Sequence, residues 1–172
     1  MNKITFFSTL FALTSASFSA QAYEDITPAE AYNMAMNYPD VYIVDVRTDA
    51  EWQWVGHPGA NLLNEGEGLD DKVANVSFKI YKKNNFITNP SFLSDMNDIF
   101  PDKANVKLIT MCRSGVRSEA AASALEGADY ANVFNMVTGF EGGKDYYGYR
   151  TLNGWKVDGL PYVASGSGKY DD

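Results

Sequence analysis

Three short apolar runs, separated by segments of helical character, constrain the fold of this chain more than any other feature. The runs cover residues 41–46, 106–111 and 131–136. The first two are almost continuously apolar and rich in β-branched residues, which is typical of strands that are buried on both faces. Strands that alternate with helices form a mostly parallel sheet. The sequence therefore predicts an α/β domain with a mostly parallel central sheet and helices on both faces.

Helix-start and helix-end signals lie between these runs. Thr27-Pro28-Ala29-Glu30 is a capping box with proline at the first helical position. The predicted helices run from 28 to about 37, from 48 or 49 through 54, from 89–90 to 100, from after 112 to Gly127, and onward from 143. A short strand is also predicted at 61–63, whereas residues 64–89 show no clear pattern.

The N-terminus has the pattern of a secretory signal peptide. A basic start is followed by an apolar stretch that ends near Leu13, and Ala20-Gln21-Ala22 is an A-x-A cleavage signal. The apolar stretch is too short for a convincing membrane span. We expect residues 1–22 to be cleaved, residues 23–163 to form a single domain and residues 164–172 to form a flexible tail. The expected location is outside the cytoplasm, in a bacterial periplasm.

Net charge and cysteine content exclude several functions. The chain has 14 basic and 22 acidic residues, a net charge of −8, which disfavours nucleic acid and anionic membranes as partners. Cys112 is the only cysteine, so an internal disulfide and a dithiol redox mechanism within this chain are excluded. A thiolate nucleophile, a sulfur carrier and a structural thiol remain open.

Cys112 lies where a predicted buried strand meets a predicted helix. The start of a helix offers unpaired backbone N–H groups and the positive end of a dipole, and Arg113 and Arg117 add full charges. These features favour the thiolate, which is the nucleophilic form of cysteine. The polar, glycine-containing sequence that follows predicts an exposed Cys112. Asp45 and Arg47 lie at the carboxyl end of another predicted strand, and parallel sheets bind their ligands beyond the carboxyl ends of their strands.

Five motifs resemble, in order, those of the rhodanese family of sulfurtransferases over about residues 26–163. They are Asp45-Val46-Arg47, Gly56-His57-Pro58-Gly59-Ala60-Asn61, Cys112-Arg113-Ser114-Gly115-Val116-Arg117-Ser118, Gly139-Phe140-Glu141-Gly142-Gly143 and Gly154-Trp155. The resemblance implies a rhodanese-like fold. It also implies transfer of a sulfane sulfur from thiosulfate or a related donor to cyanide or a thiol, through a persulfide on Cys112.

The resemblance further implies a role for each site residue. Cys112 would be the catalytic residue, and its loop would bind the substrate through Arg113, Ser114, Gly115, Val116, Arg117 and Ser118. We interpret Asp45, Arg47 and His57 as structural supports. The expected partners are a small anionic sulfur donor and a cyanide, thiol or protein-thiol acceptor. The sequence shows no metal-ligand spacing and no nucleotide-binding loop, so no cofactor is expected.

Two other functions remain open. The first is a non-catalytic binding or sulfur-carrier module. The second is phosphatase or arsenate reductase activity, which related proteins of the same fold perform. The resemblance argues against the second, because phosphatase-like loops carry five residues between Cys and Arg, whereas only four separate Cys112 from Arg117. A loop of this length fits a single sulfur atom better than a phosphoryl group.

Overall fold

A computed structural model describes residues 23–61, 63 and 65–164. The predicted signal peptide, residues 1–22, lies outside the described residues, as does the predicted tail beyond Ala164. None of the described helices combines the length and the apolar character needed to span a membrane.

A five-stranded parallel sheet forms the centre of the molecule, in the order β1-β8-β7-β2-β4. The strands are β1 (Glu24–Ile26), β2 (Val41–Asp45), β3 (His57–Pro58), β4 (Val73–Asn75), β5 (Lys79–Lys82), β6 (Asn85–Thr88), β7 (Lys107–Met111), β8 (Asn132–Met136) and β9 (Tyr162–Val163). The central strand β7 and its neighbour β2 contain the two most continuously apolar runs of the sequence. Their burial follows from neighbours on both edges and helices on both faces.

Helices cover both faces of this sheet. They are α1 (Pro28–Asn37), α2 (Asp49–Val55), α3 (Phe92–Ile99) and α4 (Val116–Glu126). One buried apolar cluster includes Phe92 of α3 and Leu125 of α4. A second cluster includes Ala31 and Ala35 of α1. The predicted α/β architecture is thus confirmed.

Two predicted elements do not form. Asn61 and Leu63 lie in a turn instead of a strand, because the Asn61 side chain accepts a hydrogen bond from the Leu63 N–H at 2.9 Å. No helix follows Gly143 in the described residues. There the Asp145 carboxylate accepts hydrogen bonds from the backbone N–H groups of Tyr147 and Tyr149, both at 2.9 Å. A side chain that binds nearby backbone groups in this way stabilises a turn in competition with a helix.

The segment without a clear sequence pattern contains a sheet strand and a hairpin. A short 3₁₀ helix, Asp70–Lys72, leads into β4 at the edge of the central sheet. The strands β5 and β6 then form an antiparallel hairpin, closed by two residues with positive φ. The Phe78 N–H donates to the Val46 carbonyl at 3.1 Å, and the Asn89 N–H donates to the Phe78 carbonyl at 2.8 Å. These bonds attach the base of the hairpin to the segment that follows β2.

Candidate active site

Cys112 follows the central strand β7 and is buried, with only 1% of its surface exposed. The prediction of an exposed cysteine was therefore wrong. The thiol belongs to the same apolar cluster as Leu108 and Ala121, whereas the Arg113 side chain that follows it is about half exposed. The polar character of the loop describes its outer side chains, and the sulfur lies on the inner side.

The loop that follows Cys112 offers a set of unpaired backbone donors. Among the described residues, no hydrogen-bond acceptor is found for the N–H groups of Arg113 through Ser118. Those of Val116 to Ser118 are unpaired because α4 begins there and the first N–H groups of a helix have no intrahelical acceptor. Gly115, at φ +97°, turns the chain into the helix. The Ser118 hydroxyl lies 3.4 Å from Cys112 Sγ and 2.8 Å from the Gly115 carbonyl oxygen.

A second loop holds the carbonyl groups of the Cys112 loop. The Phe140 N–H donates to the Cys112 carbonyl at 2.8 Å, and the Glu141 N–H donates to the Arg113 carbonyl at 2.9 Å. This contact requires glycine at position 139, where φ is +60° and a Cβ would lie 2.4 Å from the Cys112 carbonyl oxygen. The motif that begins at Gly139 therefore positions the Cys112 loop by engaging its carbonyl oxygens.

Both loop arginines form ion pairs that the sequence analysis did not anticipate. Arg117 binds Glu51 through two bonds, of 2.7 and 2.6 Å, and Arg113 Nε lies 3.0 Å from Glu141 Oε1. Glu51 occupies the third position of α2, where it also accepts hydrogen bonds from Thr48. Thr48-Asp49-Ala50-Glu51 has the sequence of a capping box, a signal that could have fixed the position of Glu51 but not its partner.

The Arg117–Glu51 pair is fully ionised at neutral pH. Burial acts to raise the pKa of Glu51, but the hydrogen bonds from Arg117 and Thr48 outweigh it and lower that pKa to about 2. The hydrogen bond with Glu51 raises the pKa of Arg117. The positive charge of Arg117 is therefore balanced by an adjacent negative charge.

Asp45 and Arg47 form a buried ion pair beside the site, with Arg47 Nη2 at 2.5 Å from Asp45 Oδ2. Arg47 also donates to the Gly56 carbonyl at 2.7 Å, and its guanidinium carbon lies 4.3 Å from the centre of the Phe140 ring. These contacts join the end of β2, the end of α2 and the second loop. Within the described part of the chain, neither residue hydrogen-bonds to Cys112.

His57 stacks on a neighbouring indole instead of facing the sulfur. Its ring lies 3.7 Å from that of Trp52, at an interplanar angle of 4°, and Nδ1 lies 2.9 Å from the Pro58 carbonyl oxygen. Burial lowers the pKa of His57, a change that the Pro58 contact partly opposes. No hydrogen bond joins His57 to the Cys112 loop among the residues that the structure describes.

A cleft of about 440 Å³ lies against the two loop arginines. Its lining residues come from α2 and its cap, the β5–β6 hairpin and the Cys112 loop, and are Thr48, Glu51, Lys79, Phe86, Arg113 and Arg117. The sequence analysis did not assign the two hairpin residues to the site, because the segment that contains them had no clear pattern. In the described ranges, no group of three or more His, Cys, Asp or Glu side chains has a geometry that would hold a metal ion.

Comparison with known proteins finds the same fold and related sequences. The family model described as Rhodanese-like domain matches residues 27–145. An uncharacterised protein of Rickettsia prowazekii is 33% identical over 139 residues, which cover 81% of this chain and 96% of that protein. The crystal structure of Rv0390 from M. tuberculosis has a TM-score of 0.67 and 33% sequence identity, and covers 82% of this chain and 98% of that one.

A more distant similarity extends to a protein with a named activity. The solution structure of the polysulfide-sulfur transferase homodimer from Wolinella succinogenes has a TM-score of 0.54 and 15% sequence identity, covering 88% of this chain and 85% of that one. At that level of identity, the similarity concerns the fold.

Proposed function

Because this chain belongs to the rhodanese-like domain family, we propose that it is a sulfurtransferase that carries a sulfane sulfur as a persulfide on Cys112. The observation that carries the proposal is the set of unpaired N–H groups from Arg113 to Ser118 beside a lone cysteine. Preorganised backbone donors stabilise negative charge most effectively where water is excluded. The four residues between Cys112 and Arg117 give the loop the length that the family resemblance associates with a single sulfur atom.

The first half-reaction loads the cysteine. The Cys112 thiolate attacks the outer sulfur of thiosulfate or a related donor, and a new S–S bond forms at Cys112. The donor's own S–S bond breaks, and its electron pair leaves with sulfite when thiosulfate is the donor. The loop N–H groups then face the negative charge on the outer sulfur, and the Ser118 hydroxyl is placed to donate to Cys112 Sγ.

The second half-reaction discharges the persulfide. Cyanide or a thiolate attacks the outer sulfur, and the bond between that sulfur and Cys112 Sγ breaks. The electron pair of that bond remains on Cys112, which returns as the thiolate. With cyanide the product is thiocyanate, and with a thiolate it is a new persulfide. The net charge is conserved in each half-reaction.

Mass spectrometry tests the proposal directly. Purified protein that has been incubated with thiosulfate or an organic persulfide is expected to gain the mass of one sulfur atom on Cys112, and cyanide is expected to reverse the gain. The variant Cys112→Ser should gain no mass while keeping its fold, since the loop is held by backbone hydrogen bonds from Phe140 and Glu141. Absence of the adduct with every donor class would contradict the proposal.

A non-catalytic binding module is the second candidate, and two observations favour it. Cys112 is buried, and both loop arginines are already paired with carboxylates. Reaction with a small alkylating reagent at neutral pH separates the two functions. A nucleophilic Cys112 in the folded protein is alkylated, whereas a purely structural thiol reacts only when denaturant is added.

We also propose that the protein is exported, as the pattern of residues 1–22 suggests. N-terminal sequencing of the protein from its native cells should give Tyr23 as the first residue. A mature protein that keeps residues 1–22 would rule out this part of the proposal.

A further inference from the structure

A basic segment of this otherwise acidic protein reaches the cleft through Lys79. Residues 72–94 contain four lysines and no aspartate or glutamate. The whole chain has a net charge of −8, of which this segment contributes +4, so the remainder carries −12. Three of the four are on the β5–β6 hairpin: Lys79 lines the cleft, Lys82 lies on the opposite face of the hairpin and Lys83 lies in its turn. A local concentration of positive charge attracts partners of the opposite sign.

One face of the hairpin is turned toward the cleft. The strand register pairs Lys79 with Thr88 and Tyr81 with Phe86. Because side chains alternate between the two faces of a strand, these four residues share one face. Lys79 and Phe86 line the cleft together with the two loop arginines. We call this face, defined by Lys79, Tyr81, Phe86 and Thr88, the cleft face.

The cleft face also presents aromatic surface to solvent. Tyr81 is 66% exposed and Phe86 is 54% exposed, and their ring centroids are 5.7 Å apart. Aromatic side chains are enriched in protein interfaces and often dominate their binding energy. The hydrogen bonds at Phe78 fix the base of the hairpin to the segment after β2. The hairpin that carries the aromatic pair is therefore anchored at its base beside the cleft.

The edge strand β6 is open along its outer side. All four of its residues are exposed, and none is charged or a proline. Natural proteins usually protect an exposed edge strand with charges, proline or a covering element, because an open edge pairs with other extended segments. Among the described residues β6 pairs only with β5. The hairpin thus combines positive charge, an aromatic pair and an open edge next to the cleft.

We propose that the cleft face docks an acidic, extended segment of a partner protein, which presents a cysteine to Cys112 as the acceptor of its sulfur. The inference rests on the persulfide function proposed above and names the acceptor class. Charge complementarity selects an acidic partner. A small acceptor such as cyanide would leave the aromatic pair exposed and the strand edge unpaired, whereas an extended segment engages both.

The transfer itself is a thiol–persulfide exchange. The partner's cysteine thiolate attacks the outer sulfur of the Cys112 persulfide, and a new S–S bond forms on the partner. The bond between Cys112 Sγ and the outer sulfur breaks, and its electron pair remains on Cys112 as the thiolate. The partner departs as the persulfide, so the reaction needs no further oxidant or reductant.

Three synthetic peptides test the charge requirement. Each has the same length and one cysteine, which is flanked by glutamate, glutamine or lysine residues. With Cys112 already loaded, the glutamate peptide is expected to discharge the persulfide about tenfold faster than the lysine peptide, and the glutamine peptide at an intermediate rate. The difference should shrink as salt is added, because screening weakens attraction between exposed charges.

Two substitutions on the same hairpin test the location. Tyr81→Ser removes an aromatic ring from the cleft face, and Ile87→Ser changes the opposite face, where Ile87 is 37% exposed. We expect Tyr81→Ser to lower kcat/KM for the glutamate peptide about tenfold and to leave discharge by cyanide unchanged. Ile87→Ser should change neither rate.

Three results would contradict docking of an acidic segment on the cleft face. Equal rates for the three peptides, or equal effects of the two substitutions, would overturn it. A protein that dimerises through Tyr81 and ignores the peptides would overturn it as well, because a second copy would then be the occupant.

Failure of the proposed function gives a different result, in which no donor loads Cys112 and cyanide yields no thiocyanate. Fluorescence anisotropy of the labelled peptides with the unloaded protein then decides on docking by itself. Tighter binding of the glutamate peptide that is lost in Tyr81→Ser supports it, and binding independent of charge or of Tyr81 refutes it.

Discussion

At the scale of single residues, the Arg117–Glu51 pair determines how much positive charge the Cys112 loop presents. Without Glu51, Arg117 would add a full charge to the cleft. With Glu51 at 2.6 Å, the pair is nearly neutral as seen from a distance. The backbone N–H groups of the loop are therefore the main attraction for an anion at the sulfur, and they act over a short range.

The low pKa of Glu51 predicts an acid-sensitive contribution to stability. In the folded protein this pKa is about 2, against an ordinary value of 4.5. A lowered pKa stabilises the folded state above pH 4.5, and that contribution disappears as the pH falls from 4.5 through 2. After allowance for partial exposure of the pair, it amounts to on the order of 2 kcal/mol. Glu51→Gln should remove this pH dependence, as measured by urea unfolding between pH 7 and pH 2.

A second glutamate serves as the matched control. Glu67 is exposed and forms no ion pair within the described residues. At each pH in the same range, Glu67→Gln should have nearly the same free energy of unfolding as the unsubstituted protein. If the free energy of unfolding fell equally between pH 7 and pH 2 in Glu51→Gln and Glu67→Gln, the ion pair would not contribute to stability in solution.

The sequence predicted those parts of the site that are contiguous in the chain. The strand-to-helix junction at Cys112 and its unpaired N–H groups follow from local backbone rules. The partners of the arginines do not, because Arg113 meets Glu141 across 28 positions and Arg117 meets Glu51 across 66. The burial of Cys112 was missed for a similar reason, since it depends on the direction in which each loop side chain points.

At the scale of elements, the predictions succeeded where local signals were strong. A capping box at Thr27 and a capping residue at Thr48 mark the starts of α1 and α2, and apolar runs mark β2, β7 and β8. The strand β4 has only three residues, all half-buried, and so carries neither an apolar run nor a clear alternation. It exists because β2 offers it a free edge, which is tertiary information.

The contact between the two loops predicts that position 139 tolerates only glycine. Gly139→Ala would place a Cβ 2.4 Å from the Cys112 carbonyl oxygen and 2.8 Å from the Ser114 nitrogen. The clash, added to the cost of a positive φ, should lower the free energy of unfolding by about 3 to 5 kcal/mol. Sulfur transfer should be lost, because the loop N–H groups shift with the displaced backbone. Chemical denaturation and a thiocyanate assay measure the two effects.

Gly148→Ala separates backbone strain from displacement of the loop. Gly148 also has a positive φ, of +87°, but an added Cβ would meet nothing within 4 Å. The strain alone should cost about 1 to 2 kcal/mol, with transfer activity retained. Full activity in Gly139→Ala would show that the second loop does not position the first.

At the scale of the whole molecule, the Asp45–Arg47 pair connects parts of the chain that meet only after folding. Arg47 contacts Asp45 at the end of β2, Gly56 after α2 and Phe140 in the second loop. Both charged side chains are completely buried. The pair thus links the central sheet to the loops that hold the candidate active site.

Removal of one partner should be far more damaging than removal of both. Arg47→Ala leaves the Asp45 carboxylate buried without its counter-ion, which should lower the free energy of unfolding by about 3 to 5 kcal/mol. The double variant Asp45→Leu with Arg47→Met replaces both charges by apolar groups and should recover most of that loss. Urea unfolding at pH 7 measures both. A loss in the double variant as large as in Arg47→Ala would point to packing, not charge, as the role of Arg47.

The burial of Cys112 also makes the formation of disulfide-linked dimers depend on unfolding. A lone cysteine on a surface joins two chains by a disulfide whenever an oxidant is present. A thiol that is 1% exposed cannot approach a second copy of itself while both chains are folded. As long as Cys112 carries no persulfide, we therefore expect covalent dimers of this protein to form from opened chains and not from folded ones. At a fixed protein concentration and a fixed level of oxidant, their fraction on a non-reducing gel should rise with the fraction of chains that has unfolded.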